Sequence, residues 1–202
     1  KGFTDLMHYV MLKDENSNSH FKGNIDLEKL KEILDKNPGK VPVVYITITN
    51  NTGGGQPVSM ENIKEASELC HKHNIPLFFD ACRFAENSWF IKKFEYGYSN
   101  KSIKEIIKEM FSHVDGFTIS FKKDGLVNMG GGLFLRDNGL FVKKYPKIPD
   151  ALMNHQIVKE GNPSYGGMSG RDIMALVTGL KTIYKEDYLD FRVNQVKEFG
   201  DA

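Results

Sequence analysis

The stretch Val41 to Thr49 carries five branched aliphatic residues (Val41, Val43, Val44, Ile46, Ile48) and no charge. Side chains branched at Cβ favour extended backbone, and apolar residues at both parities need cover on both faces. The run therefore reads as a strand buried on both faces, as in a parallel sheet. A parallel neighbour requires a crossover, usually helical, so helices must flank such a strand.

The remaining pattern supplies them. Leu27, Leu30, Ile33 and Leu34 repeat at helical spacing from Asp26, and Asn37-Pro38-Gly39 ends that helix. Ser59 caps a second, with Ile63, Ala66, Leu69 and Cys70 as its inner stripe. Ile75 to Phe79 reads as a short strand with Asp80 at its carboxyl end. Ser102 to Phe111 reads as a helix with Ile103, Ile106, Ile107 and Met110 on one face, its Lys104-Glu105 and Lys108-Glu109 run being the exposed face. Gly116 to Ser120 and Gly131 to Leu135 read as strands three and four. After a Gly-rich loop the last third is helical, first around Ile173 to Leu180, then around Tyr188 to Val196. Strands alternating with helices across short turns predict an α/β domain with a largely parallel sheet flanked by helices. The opening segment, to about His20, is polar and irregular.

Composition narrows the function. With 40% hydrophobic and 26% charged residues, 202 residues suffice for one domain, residues 1–202, with a real core. A net charge of +1 gives no electrostatic case for nucleic acid or an anionic membrane. No segment is long and apolar enough for a helical span. Two cysteines make no disulfide framework, which suits a reducing cytoplasm. The start, Lys1 to Asp5, has no signal-peptide pattern. A first residue other than methionine, and an end just after a helical pattern, are expected of an excerpt from a longer chain.

In open α/β sheets, ligands collect beyond the carboxyl ends of the strands. Strand one is followed by Asn50, Asn51 and a glycine loop, strand two by Asp80, Cys82 and Arg83, strand three by Ser120, Lys122, Lys123 and Asp124. A lysine pair, an acid, a guanidinium and an amide converging on one edge suit pyridoxal phosphate. The amine condenses with the aldehyde, the carboxylate keeps the pyridine nitrogen protonated, and donors hold the phenolic oxygen and phosphate. Taken singly, each residue has a plainer reading. A Lys-Lys pair in a loop is ordinarily solvated charge, and a strand-ending aspartate is ordinarily a cap. Gly53-Gly54-Gly55 is no P-loop, because no Gly-Lys-Ser or Gly-Lys-Thr follows. His71 and His73 lie two apart on a helix and diverge, a poor metal geometry. Cys70 reads as core, Cys82 as a possible site lining, and Trp89 with Phe90 as packing.

Several stretches also carry a family resemblance: Phe21 to Asp26, Gly54 to Met60, Phe79 to Asn87, Asn100 to Ile103, Ser120 to Asp124, Val127 to Gly131, Pro163 to Gly167 and Gly170 to Asp172. In this order they resemble the β-eliminating lyases, the family of tryptophanase and tyrosine phenol-lyase. The resemblance implies the large domain of a fold-type-I (aspartate aminotransferase-like) pyridoxal-phosphate enzyme. It selects Lys123 over Lys122 as the residue that forms the internal aldimine and later acts as base at Cα. It puts Asp80 on the pyridinium nitrogen, and Arg83 and Asn51 near the phenolic oxygen, with Asn51 also reaching the substrate carboxylate. Ser120 is assigned to the phosphate, Lys122 to the neighbourhood of the site, and Asn128 to a monovalent cation, usually potassium. The implied reaction splits an aromatic L-amino acid into indole or phenol, pyruvate and ammonia. Family members pair, so a homo-oligomer is expected.

The resemblance also implies that a phosphate-binding loop lies upstream of Lys1, and a small domain with the carboxylate-gripping arginine downstream of Ala202. Two residues depart from the family pattern. Cys82 stands where a small or hydroxylated residue is more frequent, and Phe121 replaces a small residue and would crowd the cofactor. Phe84-Ala85-Glu86-Asn87 leans towards tryptophanase, while Asn100 to Ile103 and Pro163 to Tyr165 lean towards tyrosine phenol-lyase. The alternatives are another fold-type-I reaction, such as transamination, or a silent folding and dimerisation unit. A nucleotide-binding domain fits poorly, since no Gly-x-Gly-x-x-Gly follows the first strand.

Overall fold

A computed structural model describes residues 19–202, so the irregular opening segment lies, as far as Asn18, outside the described residues. Helix α1 (Leu27–Lys36) starts where Asp26 accepts the Lys29 amide on its side chain, and buries Leu30 and Leu34. Strand β1 is Val44–Thr47, shorter than the apolar run around it. Pro42 and Pro76 lack the amide a ladder needs, so pairing begins only where the Val44 N–H reaches the Pro76 carbonyl. For the same reason β2 is Leu77–Asp80 and not Ile75 to Phe79. Burial along β1 corrects the expectation of two covered faces: Val44, Ile46 and Ile48 are buried, while Tyr45 and Thr47 are only half-buried. Among the described residues β1 is an edge strand, paired on one side only.

Helix α2 (Met60–Lys72) is capped by Ser59 and buries Met60, Ile63, Ala66 and Cys70, with Leu69 half-buried. Helix α3 (Phe84–Phe94) was not expected as a helix; Trp89 and Phe90 sit on it. Helix α4 (Ile103–Ser112) opens with a full capping box between Ser102 and Glu105. Ile103, Ile106 and Met110 are buried, and each fully buried side chain of this size is worth roughly 1.5–3 kcal/mol. Its polar face is not all solvated. Glu109 is half-buried and accepts hydrogen bonds from Tyr98 Oη and Lys101 Nζ at 2.8 and 2.7 Å, with Lys64 Nζ 2.7 Å away.

Strands β3 (Gly116–Ser120) and β4 (Gly131–Leu135) complete a four-stranded sheet of order β1-β2-β3-β4. The first three run parallel and β4 returns antiparallel beside β3. Gly116 is required by close approach: a Cβ there would meet the Phe134 carbonyl and the Phe78 ring at 2.6 Å. Four further helices follow: α5 (Leu140–Lys144), α6 (Ile148–Lys159), α7 (Gly170–Thr182) and α8 (Glu186–Asp201). Two of these, α5 and α6, fall before the stretch read as helical, and no residue of either is buried. Helix α8 docks on α3 through Trp89 Nε1 to Asp190 (2.6 Å), Lys92 to Glu186 (2.8 Å) and Lys93 to Asp190 (3.1 Å).

Candidate functional site

Main-chain hydrogen bonds continue past the strands and stitch their carboxyl ends together. The Ile48 N–H donates to the Asp80 carbonyl at 2.9 Å, and the Arg83 N–H donates back to the Ile48 carbonyl at 3.0 Å. Ala81 N–H reaches the Thr118 carbonyl at 2.8 Å, and Asp124 N–H the Cys82 carbonyl at 3.3 Å. The segments that follow β1, β2 and β3 are thereby held side by side.

The loop after β1 is folded on Asn50. Its carbonyl accepts the Gly55 and Gln56 amides at 2.8 and 3.1 Å, and its side chain accepts Gly53 N–H at 3.0 Å. Gly54 and Gly55 have φ of +86° and +79°, backbone that side chains other than glycine's rarely adopt. The far end of the loop is clamped by Asn87, fully buried on α3, which takes the Val58 N–H at 2.8 Å and gives to the Val58 carbonyl at 2.9 Å. This fixes Asn51 near Arg83, and the Arg83 Nη1 donates to Asn51 Oδ1 at 3.2 Å.

Cys82 lies where the charges meet. Its thiol is buried and pushed up from the ordinary range by that burial and by Asp80, while Lys123 and Arg83 oppose the rise. Asp80, at the end of β2, likewise helps burial to push up the Tyr45 phenol. Lys123 is half-buried, whereas Lys122 beside it is exposed. Ser120 closes β3 opposite Gly131 and is half-buried; Asn128 is exposed in the β3–β4 loop. The structure thus brings Asn51, Asp80, Arg83 and Lys123 together with Cys82, and leaves Lys122 and Asn128 towards solvent. Groups of three or more His, Cys, Asp or Glu suited to a metal are absent among the described residues. His71 instead approaches Asp115 at 2.9 Å, and Cys70 is core, its thiol pushed up to about 12 by burial.

Phe121 turns inward. It is buried in the main core, and its side chain would lie 2.8 Å from a Cβ at Gly125. The tight turn that presents Lys123 therefore rests on a core aromatic. Gly179 of α7 supports the same turn, since a Cβ there would sit 2.0 Å from the Gly125 carbonyl oxygen.

One candidate was placed at the strand end without a role, and another escaped the sequence reading. Asp124 is fully buried, and its carboxyl is pushed up to about 7, first by burial and then by Glu86. Arg192 on α8 bonds Glu86 at 2.7 Å and stands 3.6 Å from Asp124. An ionisable residue directly after the lysine pair was the available signal for Asp124; Arg192 gave none beyond being a cation between Phe191 and Val193. Beside the site a cavity of about 790 Å³ opens between α3 and α8, bordered by Asn51, Arg83, Phe90, Phe94 and Val196. That volume is typical of a small-molecule pocket.

Comparison with known proteins converges on one group. The profile of the beta-eliminating lyase family matches residues 3–202. A tryptophanase from Salinibacter ruber is 50% identical over 182 residues, covering 90% of this chain and 37% of its own. A probable beta-eliminating lyase from Trichomonas vaginalis is 48% identical, covering 98% of this chain and 43% of its own. A tyrosine phenol-lyase from Lacrimispora saccharolytica is 44% identical, covering 93% and 39%. The chain spans about two fifths of the length of these curated relatives.

Proposed function

The chain belongs to the β-eliminating lyase family, and from that premise we propose that residues 1–202 form the large, cofactor-binding domain of a pyridoxal-phosphate lyase acting on an aromatic L-amino acid. Its α/β architecture is that of a fold-type-I domain. The products are indole from tryptophan or phenol from tyrosine, with pyruvate and ammonia. The observation that carries the reading is the meeting of Asp80, Arg83 and Lys123 around one buried thiol, Cys82.

The donor set fits the cofactor. An amine, a carboxylate and a guanidinium share a half-buried patch at the strand ends, where charges are less screened than on open surface. Bound there, pyridoxal phosphate supplies an electron sink for the pair left at the substrate Cα when its proton departs. Lys123 Nζ would hold the group covalently and, when freed, would serve as the base for the proton on Cα. The Asp80 carboxylate holds a proton on the ring nitrogen. Arg83 would hold the phenolic oxygen, and its bond to Asn51 Oδ1 would leave the Asn51 amide N–H for the substrate carboxylate. Ser120 binds the phosphate, Lys122 adds positive charge at the rim, and Asn128 contributes to a potassium site in the β3–β4 loop. The whole protein works as a homo-oligomer in the cytoplasm, a reading that rests on the family. No helix among the described residues is long and apolar enough to cross a membrane.

The test is direct. Mixed with pyridoxal phosphate, the protein should turn yellow, and borohydride should fix the label on Lys123. Label on another residue, or none, would overturn the assignment. Turnover belongs to the whole protein: there, with tryptophan or tyrosine, indole or phenol plus pyruvate is the expected outcome, and a keto acid that keeps its side chain would favour transamination instead.

A further inference from the structure

A line of alternating charge runs behind the candidate site. Arg83 Nε stands 4.0 Å from Glu86 Oε2, Glu86 Oε1 accepts from Arg192 Nη2 at 2.7 Å, and Arg192 Nη1 faces Asp124 Oδ1 at 3.6 Å. Arg83, Glu86 and Arg192 expose only 25, 18 and 27% of their side chains and Asp124 none, so these pairs are screened far less than surface ion pairs. Asp124 Oδ2 accepts the Ala85 N–H at 2.8 Å, but Oδ1 has no hydrogen-bond partner. Arg192 is the cation facing that oxygen. One guanidinium therefore separates two carboxylates, one a helical turn beyond Arg83 and the other next to Lys123. A planar, permanently charged fork suits this task, because each arm can take one acid.

We propose that Arg192 is a positioning residue of the site, which sets the distance and the charge balance between Arg83 and Lys123 by pairing with Glu86 and Asp124 together. The proposal rests on Lys123 being the cofactor lysine. Arg192 borders the cavity beside the site, and in this role it acts through the two acids. With Arg192 removed, Glu86 loses its counter-charge, Arg83 loses the far anchor of its partner, and a positive charge is gone from behind the Lys123 amine. The Cys82 thiol, which feels Lys123 together with Asp80 and Arg83, is left in place by the change.

The experiment reads the protein loaded with pyridoxal phosphate, by the pH midpoint of the yellow band, alongside cofactor affinity and the unfolding temperature without cofactor. Arg192→Gln should raise the midpoint by about half a unit, as expected for loss of one nearby, partly screened positive charge. Arg192→Lys should restore the midpoint, because it restores the charge, yet bind cofactor several-fold more weakly, because it lacks the fork. An unchanged midpoint in Arg192→Gln, with wild-type label on Lys123, overturns the proposal alone. Wild-type protein that takes no label on Lys123 overturns the cofactor assignment and this proposal with it. Should Arg192→Gln fail to fold, Glu86→Gln gives the opposite sign: removal of a negative charge should lower the midpoint, and no movement overturns the proposal.

Discussion

Asp124 accepts the Ala85 amide at 2.8 Å and so caps, from 39 residues away, the helix that begins beside Arg83. Arg83, the residue at the N-cap position itself, makes no side-chain capping bond. The residue after Lys123 thus does for α3 what Ser59 and Ser102 do locally for α2 and α4. Lys123 and Arg83 cannot move apart without uncapping a helix.

The Asp124 carboxyl makes stability depend on pH. It is pushed up to about 7 in the fold, against about 3.9 in an unfolded chain. Between those values the folded chain keeps a proton that the unfolded chain has lost. Its stabilising contribution is therefore complete below about pH 4 and is lost as pH rises through about 7. Asp124→Asn should remove that slope, and urea midpoints measured from pH 4.5 to 8 for both proteins should converge on one trend after subtracting it. Parallel curves would refute the assignment.

Glu109 gives a slope of the other sign. Burial works to raise it, but hydrogen bonds from Lys101, Lys64 and Tyr98 outweigh that and hold it down at about 2. Its contribution is present above the ordinary glutamate range near 4.3 and disappears as pH falls towards about 2. Glu109→Gln is expected to lose stability relative to the wild type at pH 6 and to approach it at pH 2.5, read by thermal unfolding.

Gly179→Ala tests the seat of the lysine turn. A methyl group 2.0 Å from the Gly125 carbonyl cannot be accommodated without moving α7 or the turn. A loss of roughly 1–3 kcal/mol is expected, together with weaker cofactor binding. A variant with wild-type stability and affinity would show that the turn is free to shift.

Asn87→Ala tests the clamp on the Asn51 loop. The change orphans the Val58 N–H and carbonyl in the interior, each costing about 1–3 kcal/mol. Denaturant unfolding should show a loss of about 2–5 kcal/mol in total. A loss below about 1 kcal/mol would mean that water or a shifted backbone replaces the amide.

How much was legible follows from where each instruction is written. Strands β3 and β4 match the sequence reading residue for residue, and α1, α2 and α4 begin at Asp26, Ser59 and Ser102, because their caps are local. Helix α3 was missed because its cap comes from Asp124. No residue of α5 or α6 is fully buried, so neither helix is marked by a core-facing apolar stripe. Strand-end logic pointed to Asn51, Asp80, Arg83 and the Lys122-Lys123 pair, which lie on the segments that the fold holds side by side. It could not find Arg192, whose link to the site depends on how α8 lies against α3, or foresee that Phe121 would turn into the core.

The bonds that stitch the strand ends together, from Ile48 to Asp80, Arg83 to Ile48, Ala81 to Thr118 and Asp124 to Cys82, are all drawn from the main chain. Such a frame is blind to side-chain identity. A side chain such as that of Cys82 can therefore be exchanged while the spacing of the strand ends is kept.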